Sequence, residues 1–251
     1  MVRQIKVYGE RNTNTNYLEQ LLRLNLDVVQ IPGVVPRYIK TMQKVLPGKE
    51  WLRDWYFSVT PHRNLGWKHS RVLSVSEAGR NAIGSRGICF VSITKNPYSW
   101  LMSLYRKPYS HQYGGDKPDF ETFLVTPWKT VARDNSKSVL VSPIELWNIK
   151  NASYLRLVDF NGLNLTTEGT IQDPQAVIEE ISGHFSIDRL TPQFRNYEKS
   201  TKDSSKDFAW YQDYYLNEKW RKDLSDQAIT IINKSIDQNL MRHFGYKILG
   251  E

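Results

Sequence analysis

A chain of 251 residues with 40% hydrophobic content is long enough to bury the core of one sizeable α/β domain. Its 34 Lys and Arg against 26 Asp and Glu give a net charge of +8, which suits an anionic ligand, an acidic polymer or a membrane surface without choosing among them. A single cysteine, Cys89, excludes a disulfide within the chain, and no run of about 18 apolar residues marks a membrane span.

The chain opens directly on a strand, residues 4–8, with no signal-like segment before it, so a soluble, cytoplasmic protein is expected. Residues 17–24 read as a helix with Leu18, Leu21 and Leu22 on one face. Between the two lies the polar loop Gly9-Glu10-Arg11-Asn12-Thr13-Asn14-Thr15-Asn16. An apolar strand running into such a loop and then a helix is the layout of an anion cradle. Gly9 is free to take a backbone angle closed to other residues. Residues 13–16 bring short side chains and N–H groups to a helix N-terminus, where the dipole favours phosphate or sulfate oxygens. Arg11 adds a forked guanidinium suited to the same oxygens. The competing reading is an ordinary strand-to-helix turn with a good N-cap; the Walker pattern is missing, since no Gly-Lys-Ser/Thr follows.

Residues 26–31 read as a short second strand. From 32 to 61 prolines and glycines interrupt the pattern, aromatic residues add bulk, and no element is assigned. After Gly66-Trp67-Lys68-His69, residues 86–94 form the strongest apolar run in the chain, suited to a central parallel strand, with Cys89 as a core residue rather than a nucleophile. Asn96 is a good N-cap and Pro97 is preorganised for the first helical position, so a second strand-loop-helix unit repeats the first. Residues 106–142 read as a loop-rich insertion over the sheet edge, with a short helix near 120–124. Next come a helix over 143–151, a strand over 154–160, and a helix opened by Asp173-Pro174. Residues 196–207, with Lys199-Ser200-Thr201-Lys202, are polar and lysine-rich and read as a mobile loop. Ser225 caps a helix carrying Ile229, Ile232 and Ile236, and Gly245 is a stop. The fold class is α/β, a central parallel sheet flanked by helices in a single domain.

The paired loops resemble those of the sulfotransferases that use 3′-phosphoadenosine 5′-phosphosulfate (PAPS). Lys95-Asn96-Pro97-Tyr98 with Ser103-Leu104-Tyr105 is similar to the family's Arg-Asp-Pro-Tyr followed by a Ser-Leu-Tyr-like run. The resemblance implies that Lys95 and Ser103 grip the 3′-phosphate. Thr13-Asn14-Thr15-Asn16-Tyr17 lies over the family's 5′-phosphosulfate loop, with Asn14 where glycine is usual and Asn12, beside Arg11, at the usual basic position. Asparagine is the residue after glycine that best tolerates a left-handed conformation, so the turn is expected to survive. His69 lies between the two loops, where the family commonly places its base, and the 196–207 loop falls where many members close over the nucleotide. The resemblance also implies a P-loop NTPase-like sulfotransferase fold, binding of PAPS and its product PAP, and no metal.

In that reading Arg11, the groups of residues 12–17 and Lys68 hold the 5′-phosphosulfate, while His69 takes a proton from an acceptor hydroxyl or amine. Lys199 and Lys202 contact the nucleotide. Each has a plainer alternative: Ser103 bonding a carbonyl one turn back, Lys95 a solvated charge, His69 a loop hydrogen bond, and the lysines of 196–207 a solvated loop. His111 is the reserve base, and Glu10 an available carboxylate placed like a cap. Trp51, Trp55, Trp67, Tyr109, Tyr113 and Trp128 either line an acceptor cleft or pack the core. Two other functions fit the composition: a nucleotide-dependent phosphotransferase, and a non-catalytic basic module for nucleic acid or sulfated glycan.

Overall fold

The computed structural model describes residues 3–45, 49–73, 87–109, 112, 116–200, 203 and 205–250. Strand β1 (Arg3–Tyr8) leads to helix α1 (Thr15–Asn25) and strand β2 (Val28–Gln30). Helices α2 (Arg37–Val45), α3 (Lys49–Val59) and α4 (Pro61–Asn64) fill the stretch in which the sequence pattern was weakest. Strand β3 (Ile88–Thr94) and helix α5 (Pro97–Arg106) form the second strand-loop-helix unit. Helix α6 (Phe120–Val125), strands β4 (Trp128–Lys129) and β5 (Val139–Leu140), and helix α7 (Pro143–Leu155) follow. Strand β6 (Leu163–Thr166) and helices α8 (Thr167–Gln172), α9 (Pro174–Phe185), α10 (Phe208–Leu216), α11 (Asp226–Ser235) and α12 (Gln238–His243) complete the order.

Four strands make a parallel sheet in the order β2-β1-β3-β6, while β4 and β5 pair antiparallel. The apolar run in β3 is buried because both faces of a central parallel strand are covered. On one face Ile5, Val7, Val91 and Ile93 pack with Leu18, Leu21 and Leu22 of α1 and Ile178 and Ile181 of α9. Tyr8 and Phe90 turn to the opposite face, where they meet Tyr154 and Leu157. The largest apolar cluster lies beyond the sheet and draws together α5, α7 and α11. Phe123, Leu124, Trp128 and Leu140 of the 106–142 stretch belong to it, so this stretch completes a core. No helix among the described residues is long and apolar enough to cross a membrane.

Residues 154–160 are not a strand. They finish α7 and continue as a 3₁₀ turn over Arg156–Phe160; the strand comes three residues later, in β6. Tyr154 and Leu157 are both buried, at helical spacing, and left-handed Asn161 with the Gly162 N–H to Leu157 carbonyl bond (2.7 Å) closes the turn. The cap readings hold: Asn96, Asp173 and Ser225 each accept a backbone N–H of the first turn of their helix, from Tyr98, Ala176 and Ala228. Gly245 takes φ 71° after α12.

Gly9 is required for a reason other than its backbone angle, since it is not among the left-handed residues. The register pairs Tyr8 with Ser92, which sets Gly9 against Ile93. A Cβ at Gly9 would stand 2.6 Å from the Ile93 carbonyl oxygen and 2.8 Å from Thr15 Cγ2. A backbone oxygen in a sheet cannot retreat. Gly9→Ala is therefore expected to destabilise the protein by about 1–3 kcal/mol, as overpacking does, read from the midpoint of urea unfolding at unchanged slope.

Candidate functional site

The loop after β1 turns on two left-handed asparagines, Asn12 (φ 68°) and Asn14 (φ 61°, ψ 21°). Asparagine reaches this region at low cost because its short polar side chain can bond locally, so a turn with no glycine is held here. Alternation of left-handed with right-handed residues is the pattern of an anion nest, and in this loop the Thr13 N–H is turned inward to the Glu10 carbonyl (3.3 Å). Thr15 then starts α1, whose first turn carries no acidic side chain to offset the dipole. Arg11, Asn12, Asn14, Thr15, Asn16 and Tyr17 all face one cleft of about 290 Å³. Thr13 does not: it is buried, its hydroxyl donates to the Glu10 carbonyl (2.6 Å), and its own carbonyl accepts from Thr167 Oγ1 (3.0 Å). It locks the loop to α8.

Lys68 also faces away from the cleft. Its ammonium is buried, 2.7 Å from both Asn16 Oδ1 and Glu19 Oε2, and braces the start of α1 from behind. Gly33 makes room for it, because a Cβ there would lie 2.4 Å from Lys68 Cβ.

His69 lines the cleft beside Arg11. The segment carrying it is tied to β1: Lys6 donates to the carbonyls of Asn64 (2.5 Å) and Gly66 (2.8 Å), Tyr8 donates to that of Leu65, and the Gly9 N–H donates to that of Lys68 (2.9 Å). Nδ1 of His69 lies 2.5 Å from the Gly9 carbonyl. A carbonyl can only accept, so Nδ1 holds the proton and Nε2 keeps its lone pair. Burial, with the Lys68 ammonium nearby, holds the imidazole well below its ordinary value of 6.5, so it is neutral at neutral pH.

Beneath Arg11 and His69 lies a buried ionic cluster. Lys150 pairs with Glu10 and with Asp134 (2.5 Å) and donates to the His69 carbonyl (2.6 Å). Glu10 also accepts from Tyr109 and from the Arg11 N–H (2.6 Å), and the Arg11 guanidinium lies 4.4 Å from the Tyr109 ring centre. Glu10 is thus part of the floor of the site rather than a helix cap.

The second loop is joined to the first by Trp100, whose indole N–H donates to the Arg11 carbonyl (2.8 Å). Ser103 reaches the cleft while its hydroxyl donates to the Ser99 carbonyl one turn back (2.8 Å) and accepts from Lys95 (2.9 Å). Lys95 is buried behind it, 1% exposed, and is not a solvated charge. Its ammonium donates to Tyr215 OH (2.8 Å) and sits 4.0 Å from the Tyr215 ring centre. Burial, opposed by the Glu168 carboxylate, pulls its pKa down to about 7. Among the described residues no carboxylate lies within ion-pair distance of it.

The cleft thus gathers nearly all the candidates in the first loop together with His69, Ser103 and Lys199, and leaves Thr13, Lys68 and Lys95 behind its wall. Lys202, Thr201, His111 and Tyr113 lie outside the described residues. Trp67, Tyr109 and Trp128 are core residues, whereas Trp51 and Trp55 are exposed on α3 and line no part of this cleft. Of the described residues in the lysine-rich loop, Glu198, Lys199, Ser200, Asp203 and Lys206 line the cleft, and Lys199 bridges to Asp207. Arg106, Lys107, Tyr197 and the aromatic face of α10 also line it, and sequence reasoning missed them. Helix α10 has no apolar periodicity; its one local signal is Asp207, whose carboxylate accepts from Trp210 N–H (2.8 Å). Among the described residues no group of three or more His, Cys, Asp or Glu side chains is placed to hold a metal ion. No family model and no curated protein matches the chain.

Proposed function

We propose that the protein is a sulfotransferase of P-loop NTPase-like fold that moves a sulfuryl group from PAPS to a hydroxyl or amine of a carbohydrate or small-metabolite acceptor. The observation that carries this reading is one cleft that runs from the nest and helix start at Arg11–Tyr17 to Ser103, with His69 on its wall. The donor set suits a doubly charged adenosine nucleotide. Arg11 and the amides of the nest stand at one end, and Arg106, Lys107 and Lys199 join Ser103 elsewhere in the same cleft. Phe208 stacks on Tyr17 and Trp210 on Tyr214, at 5.6 and 4.8 Å between ring centres, which offers flat faces for a base.

Bound there, PAPS supplies the sulfuryl group, whose bond to the 5′-phosphate oxygen breaks as the acceptor oxygen or nitrogen bonds to sulfur. Nε2 of His69 takes the acceptor proton. Arg11 and the nest amides stabilise the charge that gathers on the departing phosphate, and α1 adds its dipole. Because the transferred group passes between oxygens with little covalent help, holding these groups in place is most of what the protein does.

Adenosine 3′,5′-bisphosphate at 100 times its dissociation constant should stabilise the protein by about 2.7 kcal/mol in a thermal-shift series, with ATP giving little. The reverse ranking would favour a phosphotransferase. A shift with oligonucleotide or sulfated glycan alone, lost steeply with salt, would favour a basic binding module.

A further inference from the structure

We infer that the Tyr215 hydroxyl is a built-in stand-in for an anionic oxygen, occupying the place between Lys95 and Ser103 that a phosphate group takes when α10 draws aside. This rests on the reading of Lys95 and Ser103 as one end of the ligand site.

The argument starts from an imbalance. An ammonium taken out of water needs a negative partner, and Lys95 has instead two neutral hydroxyls, Ser103 at 2.9 Å and Tyr215 at 2.8 Å. The Tyr215 ring face adds a contact at 4.0 Å, and the Glu168 carboxylate acts on the ammonium only from beyond ion-pair distance. Glu168 is engaged elsewhere, accepting from the Asn96 N–H (3.1 Å) and from Tyr246 OH (2.9 Å). A phosphate or sulfate oxygen at the Tyr215 position would accept from the same ammonium and bring the missing charge.

The element that carries Tyr215 lies at the surface. No residue of α10 is buried, although its aromatic face lines the cleft. Tyr214 and Tyr215 pack half-buried against the main core, and the polar and ring contacts that hold the helix are single ones: Tyr214 OH with Arg106 Nη1 (2.9 Å), Gln212 with the Ile171 carbonyl (3.1 Å), Tyr211 OH with Ser200 Oγ (3.1 Å), and the Phe208 ring on Tyr17. Two of these partners, Arg106 and Ser200, themselves face the cleft and can turn to a ligand. Tyr215 therefore keeps the Lys95 ammonium bonded in the free protein, and yields the place to a ligand group that is better charged for it.

Tyr215→Phe keeps the ring and removes the stand-in oxygen. An occupant in place about nine-tenths of the time lowers apparent affinity about tenfold, so the variant should bind inorganic phosphate and adenosine 3′,5′-bisphosphate about tenfold more tightly by calorimetry. Adenosine 5′-phosphate, which lacks the 3′ group, should gain nothing. Adding Lys95→Met to Tyr215→Phe should abolish the gain. Unchanged or weaker phosphate binding by Tyr215→Phe would overturn the inference, as would an equal gain for adenosine 5′-phosphate, which would make the residue a plain obstacle. Tighter phosphate binding with no bisphosphate binding by either protein would uphold the stand-in and remove the PAPS reading instead.

Discussion

Replacing Lys150 with methionine is expected to destabilise the protein by about 3–5 kcal/mol, the cost of breaking a buried pair and leaving its partners charged. For a chain of this size that is a fall of roughly 6–20 °C in melting temperature, at roughly 2–4 °C per kcal/mol. Lys150 is fully buried and serves three elements at once. It pairs with Glu10 in the first loop and Asp134 in the 3₁₀ turn Ala132–Asp134, and it bonds the carbonyl of His69. Burial pulls its pKa down, but the Asp134 and Glu10 carboxylates outweigh that effect and hold it above its ordinary value, so it stays charged. Methionine fills most of the space and brings no charge, which isolates the electrostatic part. Lys222→Met, on the exposed 3₁₀ turn Arg221–Asp223, should leave the melting temperature where it is. A Lys150→Met protein as stable as its parent would show that Glu10 and Asp134 find other partners, and that the floor of the cleft does not depend on this ammonium.

The second large effect concerns His69. If its Nε2 takes the acceptor proton, His69→Ala should lower turnover by about 10²–10⁴-fold, the usual size of general base catalysis, while adenosine 3′,5′-bisphosphate binds as before. The assay is transfer from labelled PAPS to a panel of hydroxyl and amine acceptors. Turnover that survives the substitution removes His69 from the reaction; a loss of bisphosphate binding instead makes it part of the binding surface. The pH dependence has a definite sign. The folded imidazole is held below 6.5, while the unfolded one titrates near that value. The stability this group contributes is therefore present above pH 6.5 and is lost as the pH falls toward and through the folded value, because only the unfolded chain takes the proton at first. Activity should persist below pH 6.5 for the same reason, since the free imidazole remains neutral there.

These two residues illustrate how differently parts of the site can be read from sequence. His69 stood out because it lies between two loops of recognisable layout. Lys150 did not, since nothing within a few positions of it distinguishes a buried lysine from a solvated one on an ordinary helix. The aromatic helix α10 was missed for a related reason: its aromatic residues are divided between the cleft, at Phe208, Trp210 and Tyr211, and the rim of the core, at Tyr214 and Tyr215, so they follow no 3.6-residue apolar stripe. The strand expected at 154–160 is a helix end instead, because a short apolar run fits either and Asn161-Gly162 supplies a left-handed stop.

Helix starts at Asn96, Asp173 and Ser225, the central strand β3, and the left-handed Asn14 were open to reading along the chain. A cap, a turn or an apolar run is settled by dihedral preference and hydrogen bonds among neighbours a few residues apart. Arg11 and Lys199 face the cleft as read, but the full set of cations that do so was not open to such reading. Lys68 and Lys95 look from their motifs like groups that face the cleft, yet in the free protein they sit behind its wall on Glu19 and Tyr215, while Arg106 and Lys107 line it. That outcome depends on the desolvation of each charge and on partners 49 and 120 positions away, quantities that exist only once the chain has folded.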